Sequence, residues 1–257
     1  MQGDKEPKAR RKSSTMGRIM TGEELVAQQF KEVTCLAPDM KAALGSIDDT
    51  FGMIVYGDSG NGKTSLLLKL IGALQPLGDA LLISYEEGHA KSLSMSLANS
   101  DVDLKKIKVL DYCSHTDLVH ILSRRLSAKI VVFDSLQYSD INIVRYKELC
   151  RMFLFGKTEN RRKIFIFNSH AKGIGPDGKT AEKIEYDVMI KCYVKQFMAF
   201  IKSRFQNERN LVIWEQGAKN FYQKDFAFHK NNRWYSKPPK AKTKKIIVKQ
   251  TPPTNES

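Results

Sequence analysis

Residues Gly57-Asp58-Ser59-Gly60-Asn61-Gly62-Lys63-Thr64 spell G-x-x-x-x-G-K-T, and the segments on either side are the ones such a loop requires. Before it, Gly52-Met53-Ile54-Val55-Tyr56 is an apolar run of strand length. After it, Ser65-Leu66-Leu67-Leu68-Lys69-Leu70-Ile71-Gly72-Ala73-Leu74 reads as an apolar helix. A strand that passes through a glycine turn into a helix is the phosphate-binding P-loop. The glycines let successive backbone N–H groups turn inward, and the helix N-terminus adds its partial positive charge. Residues Gly57 to Ser65 are the expected nucleotide-binding set. Lys63 is expected to meet the β- and γ-phosphates, and the Thr64 hydroxyl to ligate Mg²⁺. The alternative is a chance match in a glycine turn, which the flanking strand and helix disfavour. The expected ligand is ATP with Mg²⁺.

The spacing downstream predicts an α/β fold with a mostly parallel, twisted central sheet flanked by helices. Strands are predicted at 53–56, 80–85, 108–111, 130–134, 164–169, 188–195, 198–202 and 211–215. The later ones lie close enough together for an antiparallel extension after about Tyr186. Thr21 followed by Glu24 is a capping box, predicting a helix from there to about Thr34. The domain is expected to span 21–235, between a basic, disordered arm at 1–20 and a basic Pro/Lys-rich disordered tail at 236–257.

The 257 residues carry a formal net charge of +14, for which nucleic acid is the readiest partner, although basic ends supply part of the excess. The four cysteines form no C-x-x-C pair, so neither a zinc ribbon nor a disulfide framework is expected. No stretch approaches a membrane span, and a cytoplasmic location is the expectation.

Ligands of an open parallel sheet sit beyond the carboxyl ends of its strands. Three strand ends carry polar residues there. Ile83-Ser84-Tyr85-Glu86-Glu87 offers a carboxylate to orient or deprotonate a water, Glu86 before Glu87, with an acidic helix start as the alternative. Ile130-Val131-Val132-Phe133-Asp134 is a Walker B pattern, and Asp134 is a candidate for the Mg²⁺ shell. Ile164–His170 ends in Asn168, Ser169 and His170, each a candidate reporter of the triphosphate and His170 the sensor candidate among them, with capping or a satisfied core position as the alternative. Gln137 is a second sensor candidate, with a surface amide as the alternative. The segment Ala171–Thr180 reads as a flexible, glycine-rich basic loop suited to a nucleic-acid backbone, with Lys172 and Lys179 as candidate contacts. Lys202-Ser203-Arg204-Phe205 ends a late strand. Lys202 is a further candidate DNA contact and Arg204 a candidate arginine finger acting in trans on a neighbouring subunit, or an exposed basic turn.

These pieces in this order resemble the RecA/RadA branch of P-loop ATPases over roughly residues 45–230. Gly57–Leu68 resembles the RadA P-loop and its leucine-rich helix, and Ile83–Glu87 resembles that group's Ser-x-Glu-Glu strand end. Val132–Gln137 resembles its Val-Val-Ile-Asp-Ser-Ile-Gln segment. His170 with Lys172-Gly173 and Asp187 resembles a stretch spanning a DNA-contacting loop, and Lys202–Phe205 resembles Lys-Asn-Arg-Phe-Gly. The resemblance implies a RecA-like fold, Glu86 as catalytic carboxylate, a hexameric ring or filament with ATP between subunits, and DNA, single-stranded before double-stranded. Ser203, Gln206 and Tyr85 depart from the family pattern, and no counterpart of the RadA zinc module or protease-like domain is expected. A stand-alone core is the form taken by small phage or mobile-element recombination ATPases. The expected function is a DNA-dependent ATPase in recombination, repair or replication. The alternatives are a ring helicase motor resembling DnaB, an ATP-gated DNA-binding module, and a small-molecule phosphotransferase.

Overall fold

The computed structural model describes residues 19–156 and 161–234. The predicted arm (1–20) and tail (236–257) therefore fall almost wholly outside the described residues. The chain divides into two units, 1–31 and 32–257. The first contains α1 (Gly22–Ala27), opened by the Thr21–Glu24 capping box. Its helix stops at Ala27, short of the predicted Thr34, because Gln28 is already extended.

The second unit begins extended, with Val33 donating to the Ile47 carbonyl. It continues through α2 (Pro38–Leu44), β1 (Gly52–Tyr56), α3 (Lys63–Leu74), β2 (Ala80–Ser84), α4 (Lys91–Ala98), β3 (Ile107–Leu110) and α5 (His115–Ser123). Next come β4 (Ile130–Asp134), α6 (Ile143–Leu149), β5 (Ile164–Ser169), β6 (Ala171–Lys172), β7 (Gly175–Pro176) and α7 (Lys179–Asp187). The last elements are β8 (Ile190–Lys195), β9 (Met198–Ser203), β10 (Leu211–Val212), α8 (Glu215–Tyr222) and α9 (Phe226–Asn231).

The main sheet runs β10-β9-β8-β1-β5-β4-β2-β3. The strands from β8 to β3 are parallel, while β9 is antiparallel to both β8 and β10. The fold is thus the predicted one, a mostly parallel α/β sheet with an antiparallel extension. Alternation along the strands gives the sheet two apolar faces. Met53, Val55, Leu82, Val132 and Ile166 face one core with Leu66, Leu67, Leu70 and Ile71 of α3. Ile54, Tyr56, Ile83, Phe133, Phe165 and Phe167 face the other, with Leu118 and Leu149. Burying an aliphatic or aromatic side chain contributes about 1.5–3 kcal/mol, so these faces supply most of the drive to fold. Phe133 and Phe167 stack at 4.8 Å across adjacent strands, one pair of an aromatic cluster under the second layer.

Two boundaries differ from the alternation. The last strand stops at Val212 because the N–H groups of Ile213 and Trp214 turn to the Phe197 carbonyl. The segment after β5 is not an open loop: β6 and β7 pair as a short hairpin, and α7 follows at once. Cys113, Cys150 and Cys192 are buried free thiols, whereas Cys35 is exposed.

At the amino end of the sheet lies an unusual buried cation. Lys163, 4% exposed, donates to the Ser127 hydroxyl at 2.7 Å and the Ser127 carbonyl at 3.2 Å. Burial, then the nearby Lys129, pushes its pKa down from 10.5 to about 8. The folded state therefore binds fewer protons than the unfolded chain between about pH 8 and 10.5, so this group's contribution to stability rises with pH across that window. A shift of that size corresponds to ~3 kcal/mol. Lys163→Met is expected to be more favourable relative to wild type at pH 7 than at pH 10, by that order, in paired denaturant melts. An unchanged difference between the two pH values contradicts this reading.

Candidate nucleotide site

The parallel strands deliver their carboxyl ends to one edge. Tyr56 of β1 sits opposite Ser169 of β5, and Ser84 of β2 opposite Asp134 of β4. The P-loop leaves β1 at this edge and enters α3 at Lys63. Gly60 and Gly62 take positive φ, 74° and 95°, where a side chain is strained. Gly57 is required by contact: a Cβ there would lie 2.3 Å from the Val194 carbonyl oxygen.

Lys63 spans the loop, its Nζ donating to the carbonyls of Gly57 at 2.8 Å and Asp58 at 3.0 Å. Burial lowers its pKa, and the neighbouring carboxylates of Glu86, Asp134 and Asp58 oppose that shift. The ammonium and the three carboxylates therefore share one electrostatic site. Thr64 is half-buried and Ser65 exposed at the start of α3, beside the exposed crown of Asp58 and Ser59.

Asp134 is 6% exposed and accepts a hydrogen bond from the Asn168 side-chain amide. Burial raises its pKa, the Asn168 bond opposes that rise, and Glu86 and Glu87 add to it. Around it the Oγ atoms of Ser84 and Ser135 and the Oδ1 of Asn168 are buried without a hydrogen-bond partner. Orphaned oxygens beside a costly buried carboxylate fit a hydrated divalent cation. Among the described residues no group of three or more His, Cys, Asp or Glu side chains could hold a metal unaided. That donor set suits Mg²⁺, which keeps waters and takes phosphate oxygens, and does not suit zinc.

The two glutamates after β2 separate. Glu87 accepts from the Ser92 hydroxyl at 2.6 Å, whereas Glu86 lies 3.3 Å from His170 Nε2, with both side chains about two-fifths exposed. The backbone N–H of Glu86 donates to the Asp134 carbonyl, joining the two strand ends. Gln137 is saturated: its amide nitrogen donates to Ser169 Oγ and to the Asp177 carbonyl, and its oxygen accepts from the His170 N–H. It ties the other sensor candidate, His170, to the end of the hairpin bearing Lys172, just ahead of Lys179 at the start of α7. Both lysines are exposed.

Lys202 and Arg204 are not part of this edge. Because β9 runs antiparallel, Lys202 pairs with Lys191 and Ser203 with Ile190, which in turn lies opposite Met53 near the start of β1. Arg204 is exposed at the opposite end of the sheet from its own P-loop, donating to the Tyr186 carbonyl at 3.4 Å. Sequence reasoning did not find Asn168, Ser84 or Ser135 as neighbours of Asp134. Their signal was only that each ends or follows an apolar strand.

Asp134→Asn removes a buried charge while keeping an acceptor for Asn168. A folded-state carboxyl with a raised pKa loses stability as pH rises from about 3.8 through that raised value. The variant is therefore expected to be ~1 kcal/mol more stable at pH 7.5 and closer to wild type at pH 4, while Mg²⁺-dependent nucleotide binding falls at least tenfold. Thermal melts paired with nucleotide titrations check both halves.

No protein-family model matches the sequence, and no curated protein matches it. Among solved structures, flagellar accessory protein FlaH from Methanocaldococcus jannaschii superposes with a TM-score of 0.50 at 13% identity, over 70% of this chain and 89% of that one. A KaiC-like protein from Pyrococcus horikoshii superposes with a TM-score of 0.48 at 17% identity, over 72% and 92% respectively. At this identity the FlaH likeness concerns the fold alone, a RecA-like, mostly parallel α/β sheet with an antiparallel extension.

Proposed function

We propose that this chain is a Mg²⁺-dependent ATPase whose turnover is stimulated by DNA, with single strands before duplex, in recombination, repair or replication. The observation that carries the reading is the meeting of Lys63, Asp134 and Glu86 at one sheet edge, with orphaned serine hydroxyls between the strand ends. The triphosphate lies along the P-loop N–H groups, and Lys63 exchanges the Gly57 and Asp58 carbonyls for phosphate oxygens. Thr64 and Asp134 would hold Mg²⁺, with the Ser84 and Ser135 hydroxyls beside Asp134, and the ion would supply neutralisation of phosphate charge. Glu86 orients the attacking water and takes its proton. His170, paired with Glu86, and Gln137, which bonds the hairpin, relate the state of the site to the surface bearing Lys172 and Lys179. The net charge of +14 supports a polyanionic partner. Arg204, remote from its own P-loop, acts as a finger only if a neighbouring subunit of a ring or filament presents it.

A second reading, an ATP-gated DNA-binding module with little turnover, is favoured by the same Glu86–His170 contact, since a carboxylate held by imidazole is not free to activate water. Steady-state hydrolysis with and without a single-stranded oligonucleotide separates the readings. The expected result is stimulation of at least fivefold by DNA. Glu86→Gln should retain Mg·ATP binding and lose about 10²–10⁴-fold in turnover. Equal rates with and without DNA contradict the first reading; turnover indifferent to Glu86→Gln contradicts the role of Glu86.

Protons compete with the cation for Asp134, whose carboxyl holds its proton to higher pH than an exposed one. Mg·ATP affinity is accordingly expected to weaken as pH falls through that raised pKa, and Asp134→Asn to lack this dependence. Titrations between pH 4.5 and 8 measure it.

A further inference from the structure

The tip of the β8–β9 hairpin adopts a backbone that strand pairing alone does not require. Lys195 pairs with Met198, so the turn has two residues, Gln196 and Phe197, with φ of 46° and 62°. Turns of that hand are ordinarily made from Asn and Gly, because a Cβ in the left-handed region is strained. Such a conformation persists where its surroundings over-determine it.

The surroundings are the P-loop. Asn61 Oδ1 accepts from the Gln196 N–H at 2.7 Å, and the Asn61 carbonyl accepts from the Phe197 N–H at 3.1 Å. The Asn61 side-chain nitrogen donates to the carbonyls of Asp58 at 3.2 Å and Ser59 at 3.5 Å. One side chain, 6% exposed, thus bridges the hairpin tip and the crown of the loop. The Phe197 ring lies against Gly62, where a Cβ would come within 3.1 Å of it. The Phe197 carbonyl accepts from the N–H groups of Ile213 and Trp214, and its ring meets the Trp214 indole edge-on at 4.8 Å. The tip is held from both sides.

We propose that Asn61 and the Gln196–Phe197 turn form a clasp that holds the P-loop in its phosphate-cradling shape before any ligand arrives. As a positioning device for ATP it rests on the function proposed above; as a restraint on the loop it does not. A loop with glycine at 57, 60 and 62 loses much conformational freedom when its N–H groups converge. A clasp that imposes the convergence in advance removes that loss from binding. Asn61 and Phe197 are positioning residues in this account, and neither meets the reacting atoms.

Two variants open the clasp from different sides. Asn61→Ala removes the bond to the Gln196 N–H, and Phe197→Gly removes the ring against Gly62 while relieving a positive φ. Each should accelerate hydrogen exchange of the Gly60–Lys63 amides at least tenfold without nucleotide, and Asn61→Ala should raise KM for Mg·ATP by a larger factor than it lowers kcat. Gln196→Gly keeps both the N–H and its bond to Asn61 and relieves the strain, so its melting temperature should hold or rise and the same exchange should stay within twofold of wild type. The double variant Asn61→Ala/Phe197→Gly should exceed neither single, because both open one clasp. Unchanged exchange in both single variants, or effects that add in the double, overturns the clasp. If wild type gives no Mg·ATP binding, the nucleotide reading falls, and the exchange data still decide the clasp. If Asn61→Ala does not fold, Phe197→Gly carries the test alone.

Discussion

A partly buried ammonium group organises the working edge of this molecule. Lys63 sits where burial disfavours its charge, and what keeps it charged is the ring of carbonyls and carboxylates that the strand ends bring to it. One of those carboxylates is in turn costly: Asp134 is buried beside hydroxyls that have nothing to bond. The buried Asp134 and the partly buried Lys63 offset one another, and the proposed polyphosphate and divalent ion would complete that balance. The parallel sheet is what makes the meeting possible, because its strands all end at the same edge.

The two ends of the sheet have different chemistry. The carboxyl end carries half-exposed charge, glycines with positive φ and unpaired hydroxyls, which cost stability. The amino end carries a closed network in which Lys129 meets Asp49 and Lys163 meets Ser127. Gly45, with φ of 83°, lets the chain pass close to the Phe205 carbonyl there. Arg204 belongs to this second end. Its separation from the P-loop follows from a single reversal of direction at the Gln196–Phe197 turn, and that turn also restrains the loop. One two-residue tip therefore touches both the P-loop and the strand that carries Arg204 away from it.

Much of this was legible in the chain because it is local. A P-loop is a strand, a turn and a helix in sequence, and Asp134 closes an unbroken apolar run. Glu86 was preferred to Glu87 from the strand end and the family resemblance, but the contacts that separate them were not legible, because Ser92 lies five residues beyond Glu87 and His170 just past the end of β5. The clasp was hidden for a similar reason: Asn61 looks like any polar loop residue until Gln196, 135 positions on, comes beside it. The glycines and lysines after His170 read as a flexible loop. Pairing of β6 with β7 and the two bonds from Gln137 to His170 and Asp177 are tertiary facts that composition does not carry. The early end of α1 likewise escaped a reading based on its N-terminal cap alone.

The central claim is that the edge around Lys63 binds a nucleoside triphosphate with a divalent cation. Calorimetric titration of ATP into the full chain, with Mg²⁺ and then with EDTA, tests it most directly. The account predicts saturable binding at one site per chain that weakens markedly when Mg²⁺ is removed. Absence of binding in both conditions would contradict it.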